Sequence, residues 1–353
     1  MEKNHRVVIT RYGGPEVLQW IEEPMPMPKE EQVLVKVLAT GVAHGDILIR
    51  KGILVPPLQR LPLTPGFEIV GRVEKVGSQV IGFKKGQLVA ALTIVGGNSE
   101  YICVHYKDLV SVPQSVGVEE AVSLVLNYLT AYQMLHRYAK VQPGQNLLIH
   151  GASGGVGTAL LQLGKMIGVN MYGTASSAKH EIVARYGAFP IDYRQTDFVE
   201  VINQMVPEGV DAVFDPIGGY HFNLSYRVLR KRGILIGYGF QSDGSRRSIL
   251  QSLARLISLK IRPDGKRSKF YSLVVLKKKK PNWIKEDLSH LFKLTADGAI
   301  QPIIYQQFPL AEIRSAHETF ENGITIGKII LVTEKYQRHS KQADTGVQQP
   351  KAK

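Results

Sequence analysis

The sequence predicts an α/β chain of two domains, one mostly β and one built on a doubly wound parallel sheet. Three observations predict it. Residues 147–237 alternate short apolar runs with segments of helical spacing, which is the pattern of βαβ units. A glycine-rich turn, Gly151-Ala152-Ser153-Gly154-Gly155-Val156-Gly157, follows the first of these strands and opens the first helix. The residues before Glu119 are instead dense in Gly, Pro and Val with period-two runs, as a β domain requires. A chain of 353 residues is also long enough for two domains at roughly 150 residues each.

Along the chain, Val33-Leu34-Val35-Lys36-Val37-Leu38 and Ile69-Val70-Gly71-Arg72-Val73-Glu74-Lys75-Val76 alternate as strands, broken by Gly77-Ser78 and Lys85-Gly86. At Glu119 the spacing becomes helical, with Ala121, Leu124, Leu129, Tyr132 and Leu135 apolar, and it stops at Gln142-Pro143-Gly144. Then come a strand at 147–149, a helix from Val156 to Gly168, a strand at 169–173, and a helix from Ala178 to Tyr186. A strand at 211–215, a helix at 220–229 and a strand at 233–237 complete the series. Helices through 283–294 and 311–320 precede a last strand at 327–332. Residues 335–353 are polar, basic and aperiodic, so a disordered tail is expected.

Composition removes several classes of function. With 44% apolar and 21% charged residues the chain can bury a core, which excludes a fibrous or wholly disordered protein. Apolar runs stay well short of a membrane span, and Met1-Glu2-Lys3-Asn4-His5-Arg6 leads straight into Val7-Val8-Ile9, so a soluble, unexported, cytoplasmic protein is expected. The single Cys103 permits no intrachain disulfide and no Cys-based zinc cage, and a small buried apolar role is its simplest reading.

The net charge is +14, and residues 227–280 carry 16 basic side chains against Asp243 and Asp264, an excess equal to that of the whole chain. Such a segment, which includes Lys277-Lys278-Lys279-Lys280, is either a solvated face or a dock for an anionic membrane surface or acidic partner. No nucleic-acid reading motif accompanies it, so weak, salt-sensitive polyanion binding is expected rather than a specific site.

In the glycine turn, Gly154 admits a pyrophosphate close to the backbone and Gly157 lets helix pack on strand. Free N–H groups and the positive helix end attract the anion. Ala152 stands where the fingerprint usually begins with glycine. After the second strand, Gly173-Thr174-Ala175-Ser176-Ser177-Ala178-Lys179 has no acid until Glu181, which suits the 2′-phosphate of NADP better than the 2′-hydroxyl of NAD. Ser176 and Ser177 read equally as a helix cap. Ile191-Asp192-Tyr193-Arg194 is placed to close the same pocket.

These residues resemble the medium-chain dehydrogenase/reductase superfamily. The resemblance runs from Val7 to Val332 and is carried by Gly41-Val42-Ala43-His44-Gly45-Asp46, Thr64-Pro65-Gly66-Phe67-Glu68, Asn127-Tyr128-Leu129-Thr130-Ala131-Tyr132, the glycine turn, and Gly327-Lys328-Ile329-Ile330-Leu331. Gly173-Thr174-Ala175-Ser176, Lys179-His180-Glu181 and Asp215-Pro216-Ile217-Gly218-Gly219 are similar to its quinone oxidoreductase branch, especially the vesicle amine transport protein homologues. The resemblance implies a GroES-like catalytic domain from residues 1–124 and 276–334, a Rossmann NADPH-binding domain at 125–275, and commonly a homodimer. It also implies cofactor contacts from Thr130, Gly151, Ser153, Gly154, Gly155, Val156, Gly157, Thr174, Ser176, Lys179, Tyr193, Gly237 and Tyr238.

Where zinc-dependent members place a Cys and a His ligand, this chain has Ala43 and Phe67, and no four-Cys lobe follows Leu92, so no catalytic or structural zinc is expected. A saturated alkoxide lacks its Lewis acid here, whereas a quinone or enone spreads the charge of an added hydride through an enolate that hydrogen-bond donors support. Tyr128 and His44 are the donor candidates, with Asp46 organising the loop. Tyr128 reads also as core, His44 as a phosphate or solvent contact, and Asp46 as a structural acceptor. No Ser, His and Asp constellation with hydrolase context is apparent. A cofactor-binding sensor or scaffold with little catalysis remains the second class of function.

Overall fold

Valine- and isoleucine-rich runs separated by glycine turns form antiparallel sheets at the start of the chain. A computed structural model describes residues 3–54, 60–240 and 245–333. The expected tail at 335–353 lies outside the described residues. Strands β1 (Lys3–Ile9) and β2 (Leu18–Pro24) pair as a ribbon. β3 (Gln32–Val42) leads into a short helix α1 (His44–Arg50). β4 (Glu68–Val76), β5 (Leu88–Leu92), β6 (Tyr101–His105) and β7 (Leu109–Ser111) follow, with β3 paired to both β4 and β6. Alternate residues Val33, Val35, Val37, Ile69, Val73 and Val89 meet in one buried cluster, which is why the period-two runs are strands. Helix α2 (Val118–Ser123) is followed by a π-helical turn at Leu124–Tyr128.

Helix α3 (Leu129–Tyr132) continues into a second π-helical stretch, Gln133–Ala139, which ends on Lys140 in the left-handed region. From there β8 (Asn146–His150), α4 (Gly155–Ile167), β9 (Asn170–Ala175), α5 (His180–Arg185), β10 (Phe189–Asp192), α6 (Phe198–Met205), β11 (Val210–Asp215), α7 (His221–Arg227) and β12 (Leu229–Gly237) alternate. Helix α8 (Arg246–Lys260) precedes a last strand β13 (Arg267–Phe270). The sheet order is β10-β9-β8-β11-β12-β13, and every pairing is parallel. This is the doubly wound order with its switch point between β8 and β11. Leu148, Val213, Leu235, Phe222 and Leu256 lie in its core.

Helices α9 (Leu273–Lys279) and α10 (Pro281–Ala296) come next. The chain then supplies β14 (Ile304–Pro309), α11 (Ile313–Glu321) and β15 (Lys328–Val332). β15 pairs antiparallel with β3, Ile329 opposite Val42, so the first sheet is completed from the far end of the sequence. The described residues divide into two compact units, one made of those up to 126, 304–324 and those from 329 on, the other of those within 127–303 and 325–328. Residues 276–303, grouped from the sequence with the chain's end, cluster here with the parallel sheet. The reason is Asp287 of α10, whose carboxylate takes Gln133 Nε2 at 2.8 Å and a two-pronged contact from Arg137. Among the described residues no helix is long and apolar enough to cross a membrane.

Candidate functional site

The glycine turn is shaped by close backbone approach. Gly151 has φ +64, and Gly154 N–H closes onto Gly151 O at 3.0 Å. A Cβ at Gly157 would lie 2.6 Å from the carbonyl of Ala152 and closer still to Gly151 O, so only glycine lets α4 start there. At Gly154 such a Cβ would meet only Gly151 O, at 3.4 Å, an ordinary contact. Thr158 N–H is the first to pair back within α4, onto Gly154 O, so the N–H groups of the first turn have no partner in the helix. That is an anion site by construction. Ser153 O receives Gly327 N–H at 3.0 Å, and a Cβ at Gly155 would collide with the Asn127 amide.

Thr174 is placed differently from expectation. It is buried, and its hydroxyl lies 3.3 Å from the donating N–H of Gly151 and 3.1 Å from His150 Nδ1. Its hydroxyl braces the turn through Gly151 N–H. Beyond β9, Ser176 precedes a 3₁₀ turn, Ser177–Lys179, without capping it through its side chain. Lys179 Nζ donates to Thr325 O at 2.9 Å, and burial, then the nearby charge of Arg194, lowers its pKa. Arg194 lies over the Tyr193 ring at 5.7 Å, and Tyr193 is exposed. An acid does reach this corner: Asp192, at the end of β10. Its carboxylate accepts from Arg194 N–H at 2.9 Å and Ser177 N–H at 3.2 Å, and these contacts hold its pKa below the usual carboxylate value. The Asp192 carboxylate is thus taken by backbone N–H groups.

Sequence reasoning missed two groups in this unit. Tyr271, just after β13, donates its hydroxyl to Gln133 Oε1 at 2.8 Å, and its backbone N–H donates to Gly237 O at 2.8 Å. Gly237 and Tyr271 are therefore held together, and Tyr238 N–H donates to Asp215 O. A Cβ at Gly237 would press on the Phe222 ring, which is why that strand end is glycine. The second group is His150, Asp215, His221 and Ser225. Asp215 Oδ2 accepts from Ser225 Oγ and lies against His221 Nδ1, both at 2.7 Å, and Ser225 Oγ is 3.2 Å from His150 Nε2. Ser225 and His150 are fully buried, so this is no hydrolytic triad; it is a satisfied polar core beneath the turn. Burial, then His221, pushes His150 down to about 3 and keeps it neutral. Among the described residues this is the one cluster with metal-ligand spacing.

Tyr128 is buried, and among the described residues its hydroxyl has no hydrogen-bond partner. Burial raises its pKa, so it stays a protonated donor. In the other unit Asp46 is wholly buried, accepting Ala43 N–H on Oδ2 and Gly66 N–H on Oδ1, both at 2.9 Å. It ties the 43–46 turn to the 64–67 turn as an acceptor and is not placed as a proton carrier. His44 is half-buried with its ring 6.5 Å from that of Phe320. Phe67 packs its ring against Gly45, where a Cβ would approach to 2.5 Å. The two positions of the resemblance's zinc ligands thus hold a methyl group and a phenyl ring.

The described geometry defines an oxidoreductase-type chain, with a GroES-like unit and a dinucleotide-type parallel sheet. Comparison agrees. Residues 29–114 match the family described as alcohol dehydrogenase GroES-like domain, and residues 186–331 the one described as zinc-binding dehydrogenase. A synaptic vesicle membrane protein VAT-1 homolog from Danio rerio is 33% identical over 95% of this chain and 71% of its own length. A quinone oxidoreductase from Pongo abelii is 30% identical over 92% of this chain and 97% of its length. Among solved structures, Escherichia coli quinone oxidoreductase complexed with NADPH superposes with a TM-score of 0.85 at 29% identity, covering 93% of this chain and 99% of that one. Human VAT-1 homolog-like protein superposes at 0.82 with 28% identity, covering 95% and 99%. The chain belongs to the quinone oxidoreductase branch of the medium-chain dehydrogenase/reductases, close to the VAT-1 homologues.

Proposed function

We propose that this protein is an NADPH-dependent oxidoreductase that reduces a conjugated carbonyl, a quinone or an enone, without a catalytic zinc. The observation that carries the reading is the corner after β9, which brings Lys179 within the electrostatic reach of Arg194 while Asp192 accepts from the backbone N–H groups of Arg194 and Ser177. Two like charges that act on each other favour an anion nearby, and the 2′-phosphate of NADPH supplies one. The turn at 151–157 fits the pyrophosphate, with Ser153, Gly154, Gly155 and Val156 lining it, and Ser176 and Tyr193 complete the phosphate pocket. Thr130 and Gly237 with Tyr238 are assigned to the nicotinamide end.

NADPH, when bound, supplies a hydride. The protein's task is then to place a donor where negative charge develops on the substrate oxygen. Ala43 and Phe67 provide no metal ligand, which favours substrates that delocalise that charge. The Tyr128 hydroxyl is a protonated donor lacking a partner among the described residues, an unusual state in a buried site and one that a substrate oxygen would relieve. His44 is the second donor candidate, and Asp46 positions its loop. A homodimer and a cytoplasmic setting, with no specific nucleic-acid partner, belong to the same reading.

The test is NADPH oxidation with a panel of quinones, enones and alkenals beside simple primary alcohols. Turnover of the conjugated carbonyls alone is expected, and Tyr128→Phe should lower kcat while leaving NADPH affinity intact. Tight NADPH binding with no turnover across the panel would replace this reading by that of a cofactor-binding sensor or scaffold.

A further inference from the structure

Four donor atoms from three elements converge beneath the glycine turn. His150 ends β8, Asp215 ends β11, and His221 and Ser225 stand one turn apart on α7. Asp215 Oδ2 lies 2.7 Å from both His221 Nδ1 and Ser225 Oγ, and Ser225 Oγ lies 3.4 Å from His221 Nδ1 and 3.2 Å from His150 Nε2. The two nitrogens and the carboxylate oxygen all fall within 4.8 Å of one another. A tetrahedral zinc ion, with bonds of about 2.0–2.1 Å, holds its ligand atoms about 3.3 Å apart. The spacing is that of a four-coordinate site drawn together by hydrogen bonds, which a cation would replace.

What stands behind the donors fits the same purpose. His150 Nδ1 faces Thr174 Oγ1 at 3.1 Å, so a proton kept on Nδ1 turns the Nε2 lone pair toward the cluster. Asp215 Oδ1 accepts from Ile217 N–H at 2.7 Å and Gly218 N–H at 3.3 Å, which fixes the carboxylate with Oδ2 toward the other donors. The Phe198 ring lies against both imidazoles, 4.7 Å from His150 and 5.2 Å from His221, and supplies an apolar wall. Charge then argues for a cation. Asp215 is wholly buried, and although burial works against its charge, His221 and Ser225 hold its pKa below the ordinary value. His150 beside it is neutral, and among the described residues no lysine or arginine pairs with this carboxylate. Buried charges are paired or coordinate metals. His221, with a fifth of its side chain exposed, is the way in.

We propose that His150, Asp215, His221 and Ser225 form a structural site for a divalent cation of the zinc class. Two imidazoles, one carboxylate and one hydroxyl suit Zn²⁺ or Co²⁺, whereas Mg²⁺ and Ca²⁺ take six or more oxygens. The site is built within the parallel-sheet unit and owes nothing to positions 43 and 67. Its ion ties the ends of β8 and β11 to α7 as a brace of the fold, not as a Lewis acid for the reaction. The proposal goes beyond the reductase reading and does not rest on it.

The full chain, stripped with a chelator and dialysed, is titrated with zinc chloride by calorimetry and melted with and without the ion. One zinc per chain and a raised melting temperature are expected. Cobalt(II) in its place should give the intense visible bands of tetrahedral coordination. His221→Ala, at the part-exposed ligand, should fold by circular dichroism and bind zinc about 100-fold or more weaker, since loss of a mere supporting partner already costs about 10- to 100-fold. His290→Ala is the control, because His136 and His290 both lie against the Tyr132 ring and form a second histidine pair; it should bind as the wild type does. If His221→Ala fails to fold, the cobalt spectrum decides. No zinc bound by the wild type, an unchanged melting temperature, octahedral cobalt bands, undiminished binding by folded His221→Ala, or binding abolished by His290→Ala each overturns the proposal.

Discussion

At the level of single residues, the phosphate corner makes the sharpest prediction. Lys179→Ala should weaken NADPH about 10- to 150-fold, as loss of one charge-assisted hydrogen bond of about 1.5–3 kcal/mol implies, and leave NADH nearly unchanged. Titration calorimetry with both cofactors checks it, and equal losses for the two would remove the 2′-phosphate from this corner. Buried histidines predict the acid response. His150 and His317 are held at about 3 by burial, whereas an unfolded chain titrates them at 6.5. Each pKa is depressed on folding, so the unfolded state binds more protons between pH 6.5 and 3, and stability falls as pH drops through that window. The slope is about 1.4 kcal/mol per pH unit for each histidine. Urea midpoints at pH 7.5, 6 and 5 should decline accordingly, and His317→Gln should flatten the decline; a midpoint constant down to pH 5 would show that these rings are not buried neutral. The acid loss that begins lower comes from Asp215, which burial pushes up but His221 and Ser225 hold below its ordinary value. Tyr128→Phe should raise the melting temperature, since it removes an unsatisfied buried hydroxyl, even as it lowers kcat.

At the level of elements, the seat of α4 is the most exacting. Gly157→Ala forces a methyl group onto the carbonyls of Gly151 and Ala152, which are backbone and cannot rotate away. A loss of about 1–3 kcal/mol is expected, together with loss of NADPH binding; denaturation and calorimetry on the same sample check it, and a wild-type-like variant would mean that helix and turn are less tightly joined than described. Elements whose apolar period was clear were legible in the sequence, among them β8, α4, β9, β11 and β12 with the glycine turn between them. Helix α8 was not, because apolar residues on both its sides blur the single stripe that marks a surface helix. Strand β13 was hidden by its composition: Arg267 and Lys269 point outward and only Ser268 is fully covered, so no hydrophobic alternation announces it. Tyr271 was lost with that strand. Thr174 was drawn to the cofactor by its place in a motif, but the strand turns its hydroxyl beneath Gly151. The cluster of His150, Asp215 and Ser225 joins three distant strand and helix ends, and no local spacing records such a meeting.

For the molecule as a whole, the side chains at positions 43 and 67 predict indifference to chelators. Dialysis against a strong chelator should leave NADPH oxidation unchanged; activity lost and restored by zinc would show that ligands lie elsewhere, with His150, Asp215 and His221 the first place to look.

The path of the chain also sets an order of assembly. The parallel sheet draws all its strands from one continuous stretch, whereas residues 39–42 of β3, beyond the part of that edge paired with β6, wait for β15, nearly 300 residues later. During synthesis the downstream unit can therefore close first, while the upstream one keeps an open strand edge until almost the entire polypeptide has left the ribosome. Nascent chains stalled just past residue 303 should accordingly resist protease across β8–β13 yet be cut within β3 and β4. That interval of exposure is where chaperones would be needed most, and where premature termination would leave the stickiest product.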